Sequence, residues 1–432
     1  MTETIQGSRG SASAGDDGAK MYEKVVADFL RVAERCNIEE RVISRMSRPR
    51  ERIELSFFPS LASGQVHDGR AYIVYHNRAL GPSKGGVRMS AEVTMDEVSA
   101  LAMKMTWKTS LIGVPFGGGK SAIVCDPDGV SAQDKEVIIR AFTRAALRHI
   151  GPENYVLAPD MGTNEVDMGH IRDCISYSMG DSITRGCYVT GKPVLLGGIP
   201  GRRDATGKGV VVTIRRAAER LGFSLRGARA VVQGFGNVGS VAALELAARG
   251  AKVIAVADKH GAIFREDGLD VRAMADHVAH GGKVPEFPGG EPMEGAEIFS
   301  LDCEILVPAA ASAQITGKNA DKIKAKLIAE GANGPTTAEA DSILREKKSF
   351  VIPDILCNAG GVFVSYLEYT QETQRDQMTI EEVESRLEKR MIACFDAVYE
   401  RSGTEEPDMR TAALELAITR VAEAVRSHGF LP

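Results

Sequence analysis

The chain lacks the marks of a membrane, metal-bound or extracellular protein. Its seven cysteines are scattered at positions 36, 125, 174, 187, 303, 357 and 394, with no C-x-x-C pair and no zinc-ligand spacing. They read as reduced thiols of a cytosolic protein, not as a disulfide framework, and no metal site is expected. No apolar run approaches the roughly 18–20 residues that cross a bilayer. The opening stretch, MTETIQGSRGSASAGDDGAK, has neither the apolar centre of a signal peptide nor the arginine-rich, acid-poor character of a transit peptide. Residues 1–18 are therefore expected to form a disordered tail, and the protein to be cytoplasmic. A net charge of −5 gives no reason to expect nucleic acid as a partner, although it leaves room for a local cationic pocket. Internal repeats are absent.

What is present is the composition of an ordinary soluble protein: 432 residues, 44% hydrophobic and 26% charged, with 45 glycines. That length suits two domains of roughly 150–200 residues each. A helical pattern begins near Met21, and two extended stretches follow, RIELSFF and RAYIVYHN. In TMDEVSALAMKMTWKTS, Thr94 and Glu97 have capping-box spacing, and Val98, Leu101, Ala102 and Met105 recur at helical intervals. From about Gly207 short apolar strands alternate with helices, the rhythm of a parallel sheet wound on both faces. The fold class expected is α/β. Its parts are an N-terminal α/β substrate domain over 19–202, completed by 393–432, and a Rossmann-type doubly wound cofactor domain over 203–369. Helices from 370 to 432 are expected to return to the first domain.

The segment VVQGFGNVGSVAALELAARGAKVIAVAD carries Gly234, Gly236 and Gly239 as G-x-G-x-x-G. A strand precedes it and a helix follows, so the glycines suit a tight turn, close approach of a pyrophosphate, and helix–strand packing. The phosphates would lie at the helix N-terminus beside Asn237 and Val238. Asp258 ends the next strand about 20 positions on, where a ribose-binding acid belongs. A carboxylate there repels a 2′-phosphate and favours NAD, while Lys259 and His260 directly after it keep NADP or dual use open.

GVPFGGGKSAIVCDP looks at first like a phosphate loop. However, the position that must hold the first glycine of G-x-x-x-x-G-K-[ST] is Val114, and the residues after Lys120 are strand-like. Lys84 in GPSKGGVR, Lys108 in MTWKTS and Lys120 all sit in glycine-rich or apolar settings. A desolvated lysine needs an anion, and a small dicarboxylate would serve. Burial beside other cations would bring Lys120 down from about 10.4 towards ~7–8, suited to proton transfer. Asp160, in LAPDMGTNE, is a carboxylate able to relay protons.

These segments, with TGKP, GGIPGRRDATGKGV, EGANGPTT and CNAGGVFVSYLE in the same order, resemble the glutamate dehydrogenases within the glutamate/leucine/phenylalanine/valine dehydrogenase group. The resemblance runs from about Tyr22 to the C-terminus. It implies that Lys84 binds the substrate side-chain carboxylate and Lys108 the α-carboxylate, with Lys120 and Asp160 catalytic. Ser365 and Val362 would line the side-chain pocket and Arg202 would support a closed site. Thr206, Asn237, Asn333 and Asn358 would lie along the coenzyme. The implied reaction is reversible oxidative deamination of glutamate to 2-oxoglutarate and ammonia, in a cytoplasmic homohexamer whose domains close on the substrate. The alternatives are a leucine-, phenylalanine- or valine-type enzyme on the same scaffold, or a catalytically silent nucleotide-binding subunit. Ser121, where glycine is common in the group, has no explanation in the sequence.

Overall fold

The computed structural model describes residues 11–180, 186–403 and 408–430. They divide into two compact units. The first comprises Met1–Pro200, Ser365–Met378 and Ala417–Pro432; the second comprises Gly201–Val364 and Thr379–Leu416.

In the first unit, α1 (Ser11–Arg35) and α2 (Glu40–Met46) lead into β1 (Glu51–Phe57), β2 (Gly69–Asn77) and β3 (Ser83–Ser90). Then come α3 (Met95–Ile112), β4 (Gly117–Val124), α4 (Ala132–Ala146), β5 (Tyr155–Pro159) and α5 (Glu165–Met179). The sheet order is β1-β2-β4-β3-β5, antiparallel through β4 and parallel from β4 to β5. One face packs on α4 and α5 through Ile138, Phe142, Met168 and Ile171, all fully buried. Each such side chain contributes about 1.5–3 kcal/mol of burial. The other face, at Tyr72, Val74 and Ala122, is covered by Val98 and Ala102 of α3.

The glycines before Lys120 explain how close that cover lies. A Cβ at Gly118 would stand 2.1 Å from Thr106 Oγ1 and 2.3 Å from its backbone nitrogen. The helix therefore rests directly on the strand backbone. α3 itself starts where Thr94 Oγ1 accepts from the Glu97 amide and stops at Gly113, whose φ of 76° only glycine adopts freely. The reciprocal half of the expected capping box is not among the bonds of Glu97. Its carboxylate accepts instead from Arg88, a charge-assisted bond stronger than one to a neutral amide.

The expected tail is in part helical. α1 begins at Ser11, so residues 11–18 are corrected to helix, and positions 1–10 lie outside the described residues. The apolar period that marks a buried helix starts only later, with Val25 and Phe29, which hid the earlier turns. Gly18 allows them to dock, because its backbone approaches the Thr94 cap too closely for a side chain.

In the second unit, α6 (Ala205–Leu221) precedes β6 (Arg229–Gln233), α7 (Gly239–Ala248), β7 (Lys252–Asp258), β8 (Gly261–Phe264), α8 (Val271–Ala279) and β9 (Glu291–Met293). β10 (Ile305–Pro308), β11 (Leu327–Ala329), α9 (Ala338–Glu346), β12 (Phe350–Ile352), α10 (Asp354–Cys357) and α11 (Gly360–Gln374) follow. The chain ends in α12 (Ile380–Ser402) and α13 (Met409–His428). Strand order is β12-β11-β10-β6-β7-β8-β9, with the first five parallel and the last two antiparallel. β6 lies between β7 and β10, where the winding reverses direction, and the glycine-rich turn follows it.

The second unit starts at Gly201, and α11 passes out of it at Ser365, earlier than the expected 369. The expected return of every C-terminal helix to the first domain is also corrected. α12 and the start of α13 belong to the second unit. The cause is a ladder of ion pairs on α6: Asp396 accepts from Arg216 at 2.9 and 3.0 Å, Glu388 from Arg215 at 2.5 Å, and Glu384 from Lys208. Leu387, Met391 and Phe395 bury the face beneath.

Candidate functional site

The parallel register pairs Lys84 with Gly118, so Lys84, Gly86 and Arg88 share a sheet face with Gly118, Lys120 and Ala122. This is the face that α3 covers. Lys84 is 1% exposed and Lys120 6%. Lys84 donates to the carbonyl oxygen of Leu157 at 3.0 Å. Lys108 is half-buried on the α3 stripe that begins with Glu97. Lys84 and Lys120 are thus buried on one sheet face, and Lys108 is partly covered.

Lys120 Nζ stands 2.7 Å from Asp160 Oδ2, and Arg88 Nε donates to the same oxygen at 3.1 Å. Gly86 makes this possible, since a Cβ there would lie 2.7 Å from that of Asp160. The Asp160 loop is pinned to β3: Thr163 Oγ1 accepts from the Asp160 amide at 3.0 Å and donates to Val87 O at 2.8 Å. Burial disfavours the Asp160 carboxylate, but Lys120 and Arg88 outweigh it and lower its pKa to about 2. For Lys120 the balance is opposite. Desolvation, helped by Arg88, outweighs Asp160 and takes the ammonium below its ordinary 10.5. That is the direction expected for a base.

Ser121 has a partner as well: its Oγ accepts from the buried Tyr155 hydroxyl at 3.1 Å. Ser365, 2% exposed on α11, precedes Tyr366, whose ring meets Phe116 edge-on at 6.0 Å just before the glycines of β4. One turn on, Glu368 accepts from Lys192 Nζ at 2.7 Å and from the Gly191 amide at 2.8 Å, with both side chains fully buried. This anchors the turn that carries Ser365.

In the second unit, Gly234 has φ 94°, and a Cβ on Gly239 would stand 1.8 Å from Gly234 O. Around Gly236 no atom lies within 4 Å of a Cβ position, and Asn237 beside it is exposed. The turn is thus tight on its inner side and open on its outer side, with Val238 opening α7. Asp258 is oriented by two backbone donors, His260 N at 2.7 Å and Val284 N at 3.1 Å. Asn358 donates to Asn333 Oδ1 at 3.0 Å, which joins these two residues near Gly331 at the end of β11. Thr206 and Arg202 both flank Gly361, one position before Val362. The Gly234–Gly239 turn fits a phosphate-bearing group such as a dinucleotide, since it has no room for a side chain on its inner side and open space at Gly236 on its outer side.

Arg88 was missed in the sequence, and Glu97 was read there only as a capping residue. The signal was the spacing of Lys84 and Arg88, which share a face only if GPSKGGVRMS is a strand, and two adjacent glycines argue against that. Among the described residues no cluster of metal ligands occurs.

A glycine-turned parallel sheet for a nucleotide, joined in one chain to a unit with buried lysines, defines a dinucleotide-dependent oxidoreductase of the α/β class. A family model described as Glutamate/Leucine/Phenylalanine/Valine dehydrogenase matches residues 197–429. A second, Glu/Leu/Phe/Val dehydrogenase, dimerisation domain, matches 49–177. The chain belongs to this family. It is 43% identical to a Thermotoga maritima protein named glutamate dehydrogenase, over 95% of this chain and 99% of that one. A Staphylococcus aureus NAD-specific glutamate dehydrogenase is 41% identical, over 91% and 94%. A crystal structure of hetero-hexameric glutamate dehydrogenase from Thermus thermophilus, in its Leu-bound form, superposes with a TM-score of 0.91 at 35% identity, covering 96% of this chain and 98% of that one.

Proposed function

We propose that the protein is an NAD-dependent glutamate dehydrogenase. The observation that carries the proposal is the Lys120–Asp160 pair at 2.7 Å, on the sheet face that also bears buried Lys84. Cations outnumber carboxylates there, in a chain of net charge −5, so the face suits a doubly anionic substrate. Lys84 and Ser365 take the side-chain carboxylate, and Lys108 takes the α-carboxylate. An apolar side chain in place of glutamate's would leave a buried ammonium without its anion, which is costly.

The chemistry NAD supplies when bound at the cradle is acceptance of hydride from the substrate Cα. Gly234, Gly236, Asn237, Val238 and Gly239 hold its pyrophosphate, Asp258 its ribose, and Thr206, Asn333 and Asn358 its nicotinamide end. Asp160 takes the proton from the amino nitrogen. Neutral Lys120 then draws a proton from water as the water oxygen adds to the iminium carbon, and Asp160 returns its proton to the amino nitrogen. As the C–N bond breaks and ammonia leaves, the new hydroxyl gives its proton to water to form the ketone, and Lys120 releases its own to solvent. Such proton transfers contribute about 10²–10⁴-fold each. Arg202 steadies the turn at Gly361.

Initial rates with glutamate, leucine and phenylalanine, each against NAD and NADP, test the assignment. Turnover led by leucine or phenylalanine would overturn it, and no turnover would point to a silent subunit. We further propose a homohexamer acting in the cytoplasm. Supporting assembly, Leu195 is 98% exposed on a turn packed against α5, and no described helix is long and apolar enough to cross a membrane.

A further inference from the structure

A cavity of about 600 Å³ in the first unit has no part in the chemistry above. It lies beyond the end of β2, between the residues after α2 and the last turn of α13. Arg45, Arg48, Arg50, Arg78, His76 and His428 line it, and none of its lining residues is acidic. Two of the arginines are held in place by carbonyls: Arg45 donates to Gly429 O at 2.9 Å, and Arg78 to Glu153 O at 2.6 Å. Nearby acids offset little of this charge. Glu51 stands 3.9 Å from Arg50, and Glu39 is taken up by Arg426 at 2.6 Å.

His76 forms the floor and is 1% exposed. Its Nδ1 meets Thr106 Oγ1 at 2.8 Å, while its Nε2 is buried with no hydrogen bond of normal geometry. Burial holds the ring neutral, with a pKa of about 3, against a weaker opposing pull from the Met46 backbone. Thr106 is the α3 residue that rests on Gly118, between Lys108 and the strand of Lys120.

We propose that this cavity binds a small anion bearing two or more phosphate groups, and that α3 feels its occupancy through His76 and Thr106. Guanidinium groups pair phosphate oxygens bidentately, and four of them around one recess match the charge of a diphosphate. Pockets of this size take molecules up to a small metabolite. An anion seated over the His76 floor would bear on the imidazole, and any shift of the ring is passed through Thr106 to the helix that carries Lys108. The coupling rests on the dehydrogenase reading; the binding does not.

The test is calorimetric titration of the assembled full-length protein with inorganic pyrophosphate, at constant ionic strength and saturating NADH to block the dinucleotide cradle. We expect one ion per chain and at least tenfold weaker binding in Arg48→Gln/Arg50→Gln, whose side chains are exposed and whose loss should not disturb folding. No heat, or unchanged affinity in the double variant, overturns the proposal. A smaller assembly of that variant by light scattering also overturns it, because the recess would then be a subunit contact. UDP binding tenfold tighter than pyrophosphate identifies a nucleotide as the source of the phosphates; equal affinity identifies an inorganic one. For the coupling, pyrophosphate should change the glutamate KM at least twofold in the wild type. In Thr106→Val that response should vanish while binding persists; a response that survives refutes the route through Thr106.

Discussion

One oxygen of Asp160 serves two cations: Lys120 Nζ at 2.7 Å and Arg88 Nε at 3.1 Å. Arg88 gives this oxygen a second cationic partner, so when Lys120 gives up its proton a cation still faces the carboxylate. Replacing Lys120 by Ala should lower kcat by about 10²–10⁴-fold, the range for a positioned acid–base group. Dinucleotide affinity, measured by fluorescence titration of NADH, should hold. Near-normal kcat in this variant would remove Lys120 from the mechanism.

Arg88 should set the pH at which Lys120 works. Its positive charge disfavours the Lys120 ammonium, so Arg88→Gln should raise the Lys120 pKa. As a base Lys120 acts when neutral, and kcat should therefore climb with pH through that pKa. The climb should lie at higher pH in the variant than in the wild type. A pH–rate profile with no shift, or a shift to lower pH, contradicts the arrangement.

Acid stability should depend on Asp160. Its folded pKa is depressed to about 2, so its contribution is complete above the unfolded value near ~3.9 and fades as pH falls towards 2. Urea denaturation should show Asp160→Asn less stable than wild type near neutrality, with the gap narrowing through that window. A gap that stays constant in acid would show that the carboxylate's charge is not what stabilises the fold.

Two glycines of the nucleotide turn should behave differently. At Gly239 an added methyl meets the Gly234 carbonyl at 1.8 Å, so Gly239→Ala should both destabilise the unit and abolish NAD binding. At Gly236 there is open space, so Gly236→Ala should cost less than about 0.5 kcal/mol of stability. It should nonetheless weaken NAD tenfold or more, by blocking approach to the backbone. Thermal melts with and without NAD separate the two.

Lys192 and Glu368 are both fully buried, and the glutamate outweighs desolvation to raise the lysine above its usual pKa. Lys192→Met should destabilise by about 3–5 kcal/mol, the cost of leaving a buried charge unpaired. A loss below about 1 kcal/mol in chemical denaturation would mean that the pair is replaceable.

The alternation of strand and helix beyond Gly207 was legible in the sequence because apolar runs and glycine punctuation recur there at regular intervals. The dinucleotide turn was legible for the same reason. β3 was not: its Gly85 and Gly86 erase the side-chain alternation that marks a strand, and Arg88 was hidden with it. The destination of α12 was equally hidden. Its period shows that one face is buried but not against what, and the partner emerges only when Glu384, Glu388 and Asp396 are matched to the cations of α6. Lys120 could be singled out by its odd setting and Asp160 by its Pro/Gly loop, and the family resemblance then gave both an expected catalytic role. Their pairing needed the loop pinned by Thr163.

The bare backbone at Gly118 has a wider consequence. Thr106 and the strand touch with nothing interposed, so the distance from α3 to β4 is fixed by the thickness of two main chains. Even one methyl inserted there would act as a shim, tilting the helix and carrying Lys108 out of step with Lys84 and Lys120. In this protein the alignment of its charged groups is calibrated by a side chain that was left out.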